Sequence, residues 1–529
     1  MAVHSTFYGQ NFLDTQECVS YTADHEKQVL INSKVILVKS ISDIGAARVG
    51  CDENMKKIRI ALMNAGKRQP VMPLLTPPLG IMYLAAYLRE KFKSDILLIN
   101  QKVDNVPNDR LVSRIREFEA DVVGIGAMTP TAQVLPDIVS RIRTALPKAL
   151  IVLGGPHVTV AGAKILETTE AHAAVPGEGE PAFEAIINHY FDGSSLADVP
   201  GIFWRNRQNE IITNPGRMPF IEDLDTLPLP AYDLINLSDY WTQQSFPPIP
   251  RRRYLSLFSS RGCPYNCIYC HKIFGRRFRY HSTDRMIDEI KYFTRLYNVH
   301  DIEFLDDVFN MNHNRLMEFC GRVKKDYPRL KLALPNGVRT DILKEEEIDA
   351  LAEAGLYYAS FALESGSPRI QKVIKKDLDI SKFLENVALA ESRGIFCNGF
   401  AMLGFPSETA VDMQQTVDVA CRSRLHTSSF FTVTPFPNTE LYEIIARTHP
   451  EKLARLSYED MEYADLTENF SAEPDATLYY YQRLANRRFY LNPNRAFRII
   501  RDHPTPHLIP LYSAMVLKKL TKGFFPSSK

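Results

Sequence analysis

From residue 57 to about residue 195, short apolar runs alternate with helix-length amphipathic segments, and this alternation constrains the fold more than any other feature of the chain. Runs such as IRIALM, DVVGIGA and ALIVLGG have the length of buried strands, while DRLVSRIREFEA and LPDIVSRIRTAL have the period of helices. Buried strands that alternate with helices form parallel βαβ units with right-handed crossovers. Residues 57–195 therefore predict an α/β domain with a doubly wound, Rossmann-like parallel sheet.

Sheets of this kind bind ligands at the carboxyl ends of their strands. Small and polar residues follow the predicted strands, namely Thr129, Thr131, Gly154, Gly155, His157, Gly177 and Gly179. Glycine lets the backbone approach a ligand closely, and the two threonines offer hydroxyl groups beside it. The alternative is that these glycines serve only the turn, and that the histidine is an ordinary loop residue.

The rest of the chain divides into segments that differ in composition and periodicity. Residues 196–250 contain a predicted hairpin and then a proline-dense stretch, which indicates a linker that crosses the surface in extended form. Residues 251–446 return to strand-helix alternation with about six βα units, which favours an open, partial (β/α)6 barrel of the TIM type. Residues 447–529 are helix-rich and are interpreted as a cap over the barrel mouth, whereas residues 1–56 carry no interpretable pattern and stay unassigned.

Charge and cysteine usage exclude several classes of protein. The chain has 63 Lys and Arg against 62 Asp and Glu in 529 residues, so no global field favours nucleic acid as a partner. Eight cysteines, three of them clustered, do not resemble a secreted disulfide framework and fit a reducing cytoplasm. The N-terminal residues lack a basic-then-apolar signal pattern, and no uninterrupted apolar run reaches membrane-spanning length.

The stretch CPYNCIYC places Cys263, Cys267 and Cys270 in the loop after the first predicted barrel strand. Three thiolates can hold three irons of a [4Fe–4S] cluster and leave the fourth iron without a protein ligand. The competing interpretation is zinc, but a structural zinc site needs four ligands, and His271 is awkwardly placed to complete the set. Three incidental cysteines would expose reactive thiols without a purpose. The pattern therefore predicts an iron-sulfur cluster with one open iron.

With Tyr269 before its last cysteine, this CxxxCxxC motif resembles that of the radical S-adenosylmethionine (radical SAM) superfamily. The resemblance implies that the open iron chelates S-adenosylmethionine, whose reductive cleavage gives a 5′-deoxyadenosyl radical. The segments FLDDVF, ALESGS and GFAMLGFPSET resemble the family's other S-adenosylmethionine motifs, and they implicate Asp306, Asp307, Glu364, Ser365, Gly404 and Glu408. Either aspartate could instead cap a helix. Arg339 could meet a carboxylate, although a surface ion pair is the simpler expectation.

The order of the two predicted domains resembles the cobalamin-binding class of radical SAM enzymes over about residues 57–445, through PPLGIMYLAAYL, DVVGIGAMT, LGGPHVT and PGEGEPAF. The resemblance implies a cobalamin cofactor bound by the glycine-rich loops of the sheet. The chain departs from the older cobalamin-binding pattern because no Asp-x-His-x-x-Gly follows the first strand. No histidine is then offered to the cobalt, and residues from Asn64 to Pro70 would face its lower side.

The resemblance implies a cobalamin-dependent radical SAM C-methyltransferase that methylates an unactivated carbon of a small-molecule or lipid-like substrate. An electron donor such as flavodoxin or ferredoxin would reduce the cluster. One alternative is radical ring formation or oxidation, as in the anaerobic cyclase of bacteriochlorophyll synthesis. Two others are a non-catalytic cofactor sensor and a zinc-stabilised interaction module. The end of the chain, HLIPLYSAMVLKKLTKGFF, mixes apolar residues with lysine and could rest on a membrane surface.

Overall fold

The computed structural model describes residues 27–31, 34–38, 57–66, 75–217, 219–247, 249, 252–458 and 468–510. The chain divides into two compact units, Met1–Lys56 and Lys57–Lys529. In the first unit, strand β1 (Lys27–Ile31) pairs antiparallel with strand β2 (Lys34–Val38).

A seven-stranded sheet forms the first part of the second unit. Its strands are β3 (Ile58–Ala65), β4 (Ser94–Asn100), β5 (Val122–Ala127), β6 (Leu150–Gly154), β7 (Ala173–Ala174), β8 (Phe203–Arg205) and β9 (Ile211–Thr213). The sheet order is β4-β3-β5-β6-β7-β8-β9, and the first five strands in this order are parallel. The predicted doubly wound sheet is confirmed, and its order changes direction at β3, where such sheets open a crevice.

Helices cover both faces of this sheet. They are α1 (Leu79–Lys91), α2 (Gln101–Asp104), α3 (Asn108–Glu117), α4 (Leu135–Ala145), α5 (Pro156–Ala161), α6 (Lys164–Glu167) and α7 (Glu180–Asp192). Successive side chains of a strand point to opposite faces. Accordingly, Ile60 and Leu62 pack in one core with α1 and α7, whereas Ala61 and Met63 pack in the other core with α3 and α4.

The segment predicted as a surface linker is instead largely packed. Its hairpin, β8 and β9, joins the first sheet, where Ala173 of β7 lies antiparallel to Trp204 of β8. The stretch that follows contains the short helix α8 (Leu237–Trp241) and two 3₁₀ turns. The prediction of an extended surface crossing is wrong, because apolar residues between the prolines, such as Leu224 and Tyr232, are buried in the main core.

A second sheet of six parallel strands forms the partial barrel. In chain order and in sheet order its strands are β10 (Leu255–Leu257), β13 (Asp301–Phe304), β14 (Lys331–Val338), β15 (Leu356–Glu364), β16 (Phe396–Leu403) and β17 (Thr427–Thr432). Its outer helices are α9 (Thr283–Tyr297), α10 (His313–Asp326), α11 (Glu345–Glu353), α12 (Pro368–Val373), α13 (Ile380–Ser392) and α14 (Ala410–Arg422). The edge strands β10 and β17 do not pair, so the predicted open barrel is confirmed.

Between the first two barrel strands, a small antiparallel pair brackets the cysteine motif. Strand β11 (Ser260–Arg261) pairs with strand β12 (Arg279–Tyr280). The chain between them forms a loop whose two ends are held side by side.

The chain then continues into four helices, α15 (Glu440–Thr448), α16 (Pro450–Arg455), α17 (Asp475–Tyr490) and α18 (Pro493–Asp502). Buried Arg495 of α18 donates hydrogen bonds to the carbonyl oxygens of Ala420 and Ser423, where α14 ends. Such a guanidinium satisfies carbonyls that have no partner within their own helix. The described residues of this region are helical, as predicted, but α18 ends at the amino ends of the barrel strands, where Asp502 contacts His426 just before β17 at 3.0 Å, so the predicted cap over the barrel mouth is wrong for α18. Among them no helix is both long and apolar enough to cross a membrane, and residues 511–529 lie outside the described part.

Candidate active site

The cysteine loop is shaped by a glycine that no other residue could replace without a shift. Gly262 has φ +88°, and a Cβ atom there would lie 2.3 Å from the carbonyl oxygen of Arg277. Two backbone hydrogen bonds also hold the loop. The Cys263 N–H donates to the Gly275 carbonyl at 3.3 Å, and the Ile268 N–H donates to the Ile374 carbonyl, just after α12, at 3.0 Å. The turn that presents the cysteines is therefore set by backbone contacts.

The three cysteines of the motif lie together on this loop without a disulfide. The described ranges contain three other cysteines, of which Cys320 and Cys397 are buried in the barrel wall and Cys421 is half-buried on α14, so none of these three belongs to the loop. The Cys270 side chain is exposed at the loop surface, and desolvation by the surrounding protein together with the nearby Asp307 carboxylate raises the pKa of its thiol. Metal binding at this thiol must therefore release a proton, as thiolate coordination does in general.

Of the two predicted aspartates, only one is free to meet a ligand. Asp306 is buried and accepts hydrogen bonds from the Ser259 N–H at 2.7 Å and the Ser260 hydroxyl at 2.6 Å. The Asp307 side chain is exposed, and desolvation by the protein around it together with the nearby Asp306 carboxylate raises the pKa of Asp307 to about 6. Asp307 is thus the carboxylate that can receive an ammonium group, while Asp306 braces the end of β10.

At the end of β15 the two predicted residues are both buried but have different surroundings. Glu364 has φ +60°, lies at the strand end and forms a buried ion pair with Lys376, with Nζ and Oε1 3.4 Å apart. Ser365 is fully buried, and its hydroxyl contacts the Thr416 hydroxyl at 3.2 Å inside the wall. Left-handed backbone at a non-glycine residue is enriched at ligand-binding sites. Glu364 is therefore the better placed of the two to contact a nucleoside.

At the end of β16, Gly404 turns the chain with φ +102°. Glu408 is completely buried and its Oε2 accepts hydrogen bonds from the N–H groups of Gly404 and Phe405, at 2.5 and 2.9 Å. Burial raises the pKa of Glu408 to about 8, and its Oε1 has no hydrogen-bond partner. Tyr269 of the cysteine motif packs beside this turn, with its ring 5.8 Å from that of Phe405. Glu408 thus stabilises the turn by accepting hydrogen bonds from its backbone, and Tyr269 packs the cysteine loop against the turn.

A cavity of about 390 Å³ lies where the carboxyl ends of the first sheet face the cysteine loop. Five predicted residues line it, namely Asn64, Gly154, Gly155, Gly177 and Gly179. Gly155 has φ +83°, and a Cβ atom there would meet the Ala127 nitrogen at 3.4 Å. At these positions the backbone itself therefore forms the cavity wall, which leaves the space of a side chain to a ligand.

Three predicted residues of the first sheet do not line this cavity. The Thr131 hydroxyl is buried and donates to the Ala65 and Met128 carbonyls, at 3.3 and 3.2 Å. Thr129 opens the same short 3₁₀ turn, and His157 lies in the first turn of α5 with a buried, unpartnered Nδ1. These side chains are thus separate from the glycine wall, the part of the cavity lining formed by Gly154, Gly155, Gly177 and Gly179.

Sequence reasoning missed the barrel's share of the cavity wall. Phe258, Arg261, Phe274, Leu305 and Asn336 come from the barrel, and Phe246 comes from the segment before it. The sequence does not identify these residues as part of a site, because none of them belongs to a spaced motif. Adjacency of Arg261 to the cysteine motif was the one available cue.

Buried ion pairs join the two halves of this site. Glu178 and Glu180, which follow β7, pair with Arg279 and Arg261 at 2.8 and 2.9 Å, and all four side chains are at most 5% exposed. Both arginines flank the cysteine loop. A buried pair holds its geometry because separating the charges leaves one of them uncompensated. The cavity wall and the cysteine loop are therefore linked as one rigid region.

Another group of metal-type side chains lies far from this site. Ligand atoms of Glu391, His426 and Asp502 come within 4.8 Å of one another. However, Glu391 already accepts hydrogen bonds from Arg424 at 2.7 Å and from Arg501 at 3.2 Å, and His426 contacts Asp502 at 3.0 Å. Because guanidinium groups already neutralise the carboxylates, this cluster ties α18 to the barrel and needs no cation.

Comparison with family models matches residues 71–187 to the B12 binding domain and residues 257–420 to the Radical SAM superfamily. The matched regions contain, respectively, the glycine wall of the cavity and the cysteine loop. The chain therefore combines a B12 binding domain with a radical SAM domain, and the cofactors of these two domains are cobalamin, a [4Fe–4S] cluster and S-adenosylmethionine. The residues present fit these groups, since three thiols lie on one loop, Asp307 is accessible, and the cavity wall is built from glycine backbone that a ligand can approach closely.

Single proteins are also similar to this chain over most of its length. An uncharacterised methyltransferase of Pyrococcus horikoshii is 29% identical, over 81% of this chain and 90% of its own length. The anaerobic magnesium-protoporphyrin IX monomethyl ester cyclase of Rubrivivax gelatinosus is 26% identical, over 69% of this chain and 66% of its own. The radical SAM methyltransferase TsrM of Kitasatospora setae, solved with cobalamin and a [4Fe–4S] cluster, shares the fold with a TM-score of 0.60, 18% identity, and coverage of 74% and 78%.

Proposed function

We propose that this protein methylates an unactivated carbon atom of a small-molecule substrate. One observation carries the proposal: a single cavity is lined both by the glycine loops of the first sheet and by barrel residues beside the cysteine loop. A cobalamin on the glycine wall would therefore face the barrel end at which S-adenosylmethionine binds. The substrate would lie between the two cofactors.

The chain's own residues place the groups and exclude water. When bound, the cluster and S-adenosylmethionine supply a carbon-centred radical that abstracts a substrate hydrogen atom, and methylcobalamin supplies the methyl group. We assign Asp307 to the ammonium group of S-adenosylmethionine, and Glu364, held by Lys376, to its ribose. Phe258 and Phe274 line the space between the cofactors and keep it apolar, which protects a reactive radical from side reactions.

Ring formation or oxidation is the alternative outcome with the same cofactors, and the similarity to an anaerobic cyclase supports it. A cofactor sensor receives no such support, because the relatives are enzymes by name. We further propose an electron donor such as flavodoxin or ferredoxin, a cytoplasmic location, and domain boundaries near residues 57, 195, 250 and 446. A lipid-like substrate and a membrane contact through residues 511–529 stay proposals that the described residues do not address.

The test uses protein purified without oxygen and reconstituted with iron, sulfide and methylcobalamin. We expect four irons and one cobalt per chain, and both 5′-deoxyadenosine and S-adenosylhomocysteine after reduction with S-adenosylmethionine. Formation of 5′-deoxyadenosine without S-adenosylhomocysteine would favour the cyclase or oxidase alternative. Zinc in place of iron would refute the assignment of the cysteine loop.

Matched cysteine variants complete this test. Cys263→Ala removes one thiol of the loop and should abolish the cluster and both products. Cys421→Ala removes a thiol that is also half-buried but lies outside the loop, and it should leave the iron content unchanged. Equal iron loss in the two variants would show that the effect comes from folding and not from coordination.

A further inference from the structure

Arg339 follows barrel strand β14 and is buried beside the cysteine loop, where the sequence favoured a surface ion pair. Its side chain is 8% exposed, and its Nε and Nη2 donate to the two carboxylate oxygens of Asp341 at 2.5 and 2.9 Å. The backbone of Arg339 is also fixed, since Asn310 both accepts from its N–H and donates to its carbonyl. The guanidinium therefore has one orientation.

This orientation places the guanidinium on the cysteine motif itself. The Cζ atom of Arg339 lies 4.1 Å from the ring centroid of Tyr265, which stands between the first two cysteines of the motif. Tyr265 is two residues from Cys263 and two from Cys267, so the guanidinium lies on the segment that carries both thiols. Because arginine keeps its proton at all ordinary pH values, this positive charge, paired with Asp341, lies beside the segment that carries two of the three cluster ligands.

One donor of this guanidinium is left without a partner. The Nη1 atom of Arg339 is buried and makes no hydrogen bond, although its neighbours Nε and Nη2 are both used. Leaving a charged donor buried and unpaired is costly, so such a donor implies an acceptor that binds there. The bound cluster brings acceptors of this kind, because its sulfides and thiolates carry negative charge.

We propose that Arg339 is a positioning residue of the cluster, which donates Nη1 to a cluster sulfur and raises the reduction potential of the cluster. Hydrogen bonds to the sulfurs and nearby charge are two of the factors that set iron-sulfur potentials. A positive charge stabilises the reduced state, which carries one more electron. Tyr265 and Asp341 hold the guanidinium in place, and the inference rests on the cluster binding described above.

The test is an EPR-monitored redox titration of the anaerobically reconstituted protein without S-adenosylmethionine. For Arg339→Gln we expect four irons per chain and, at a fixed potential, about a tenfold lower ratio of reduced to oxidised cluster. This corresponds to a midpoint lower by about 59 mV for a one-electron couple. Arg339→Lys keeps the positive charge but loses the planar guanidinium with its paired donors. Its midpoint potential should lie between those of the wild type and the glutamine variant.

Arg393→Gln is the matched control, because Arg393 also pairs with an aspartate, Asp349, at 2.6 Å but lies on the outside of the barrel. It should leave the midpoint unchanged. An unchanged midpoint in Arg339→Gln overturns the inference. So does weaker binding of S-adenosylmethionine as the sole effect, since the acceptor of Nη1 would then be the methionine carboxylate.

A second variant decides the matter if Arg339→Gln does not retain four irons. Asp341→Asn leaves the guanidinium but removes its neutralising partner, so the reduced-to-oxidised ratio should rise two- to threefold at the same potential. No rise would contradict the inference. Absence of four irons in the wild type would instead refute the cluster assignment, so the two failures are distinguishable.

Discussion

Replacing Gly262 by alanine should remove the cluster while leaving the fold in place. The alanine must adopt φ +88°, and left-handed backbone costs about 1–2 kcal/mol for a residue with a Cβ atom. The larger effect is local, because the new Cβ atom would lie 2.3 Å from the Arg277 carbonyl oxygen and 3.0 Å from that of Phe274. Both oxygens belong to the far side of the cysteine loop, so relieving the contact must move the cysteines.

Gly394→Ala separates the two effects. Gly394 has φ +82°, and no atom lies within 4 Å of the position its Cβ would take. It should lose about 1–2 kcal/mol in the free energy of unfolding, measured by denaturant titration, and keep four irons per chain. Gly262→Ala should show a similar or moderately larger loss of stability but lose most of its iron. Full iron content in Gly262→Ala would refute the reasoning that the turn sets the cysteine geometry.

Four further outcomes are expected. Asp307→Asn should weaken S-adenosylmethionine binding at least tenfold in equilibrium dialysis; because the pKa of Asp307 is about 6, wild-type affinity should rise from pH 5 to pH 7, and the variant should lose this dependence. Asp306→Asn should instead lower the free energy of unfolding by about 1–3 kcal/mol, because it disrupts a buried hydrogen-bonded carboxylate. Gly155→Ala should reduce cobalt retained after gel filtration without changing iron, and equal loss of both metals would contradict separate sites. Glu178→Gln should cost about 3–5 kcal/mol in denaturant unfolding, since it leaves buried Arg279 without its charge partner, and a cost under 1 kcal/mol would argue against a rigid link.

Much of the fold could be predicted because both halves of the chain obey one local rule. Strand-length apolar runs between amphipathic segments can bury their surfaces only as parallel βαβ layers, and two such layers appear where the pattern occurs. The linker prediction failed because residues 196–250 have no period. Their burial depends on which surface they meet, as when Tyr232 packs in the main core.

The site was predictable to the extent that its chemistry depends on spacing along the chain. Cys263, Cys267 and Cys270 share one loop, so their proximity follows from sequence alone. The roles of paired candidates did not follow, since Asp306 and Asp307 are adjacent in the chain yet one is buried in a hydrogen-bond network and the other is accessible. Alternation of side-chain direction in extended backbone decides such a pair, and only neighbouring elements show which direction faces the ligand.

The sequence by itself determined that this chain has two α/β layers, an iron-sulfur loop and glycine-rich strand ends, because periodicity, thiol spacing and backbone freedom are local properties. Only the tertiary structure decided that Glu178 forms a buried ion pair with Arg279, that Arg339 lies over Tyr265, and that one cavity is lined by residues of both layers. Each of these contacts links residues more than 70 positions apart or elements from different layers. Their partners are chosen by packing, which no local pattern records.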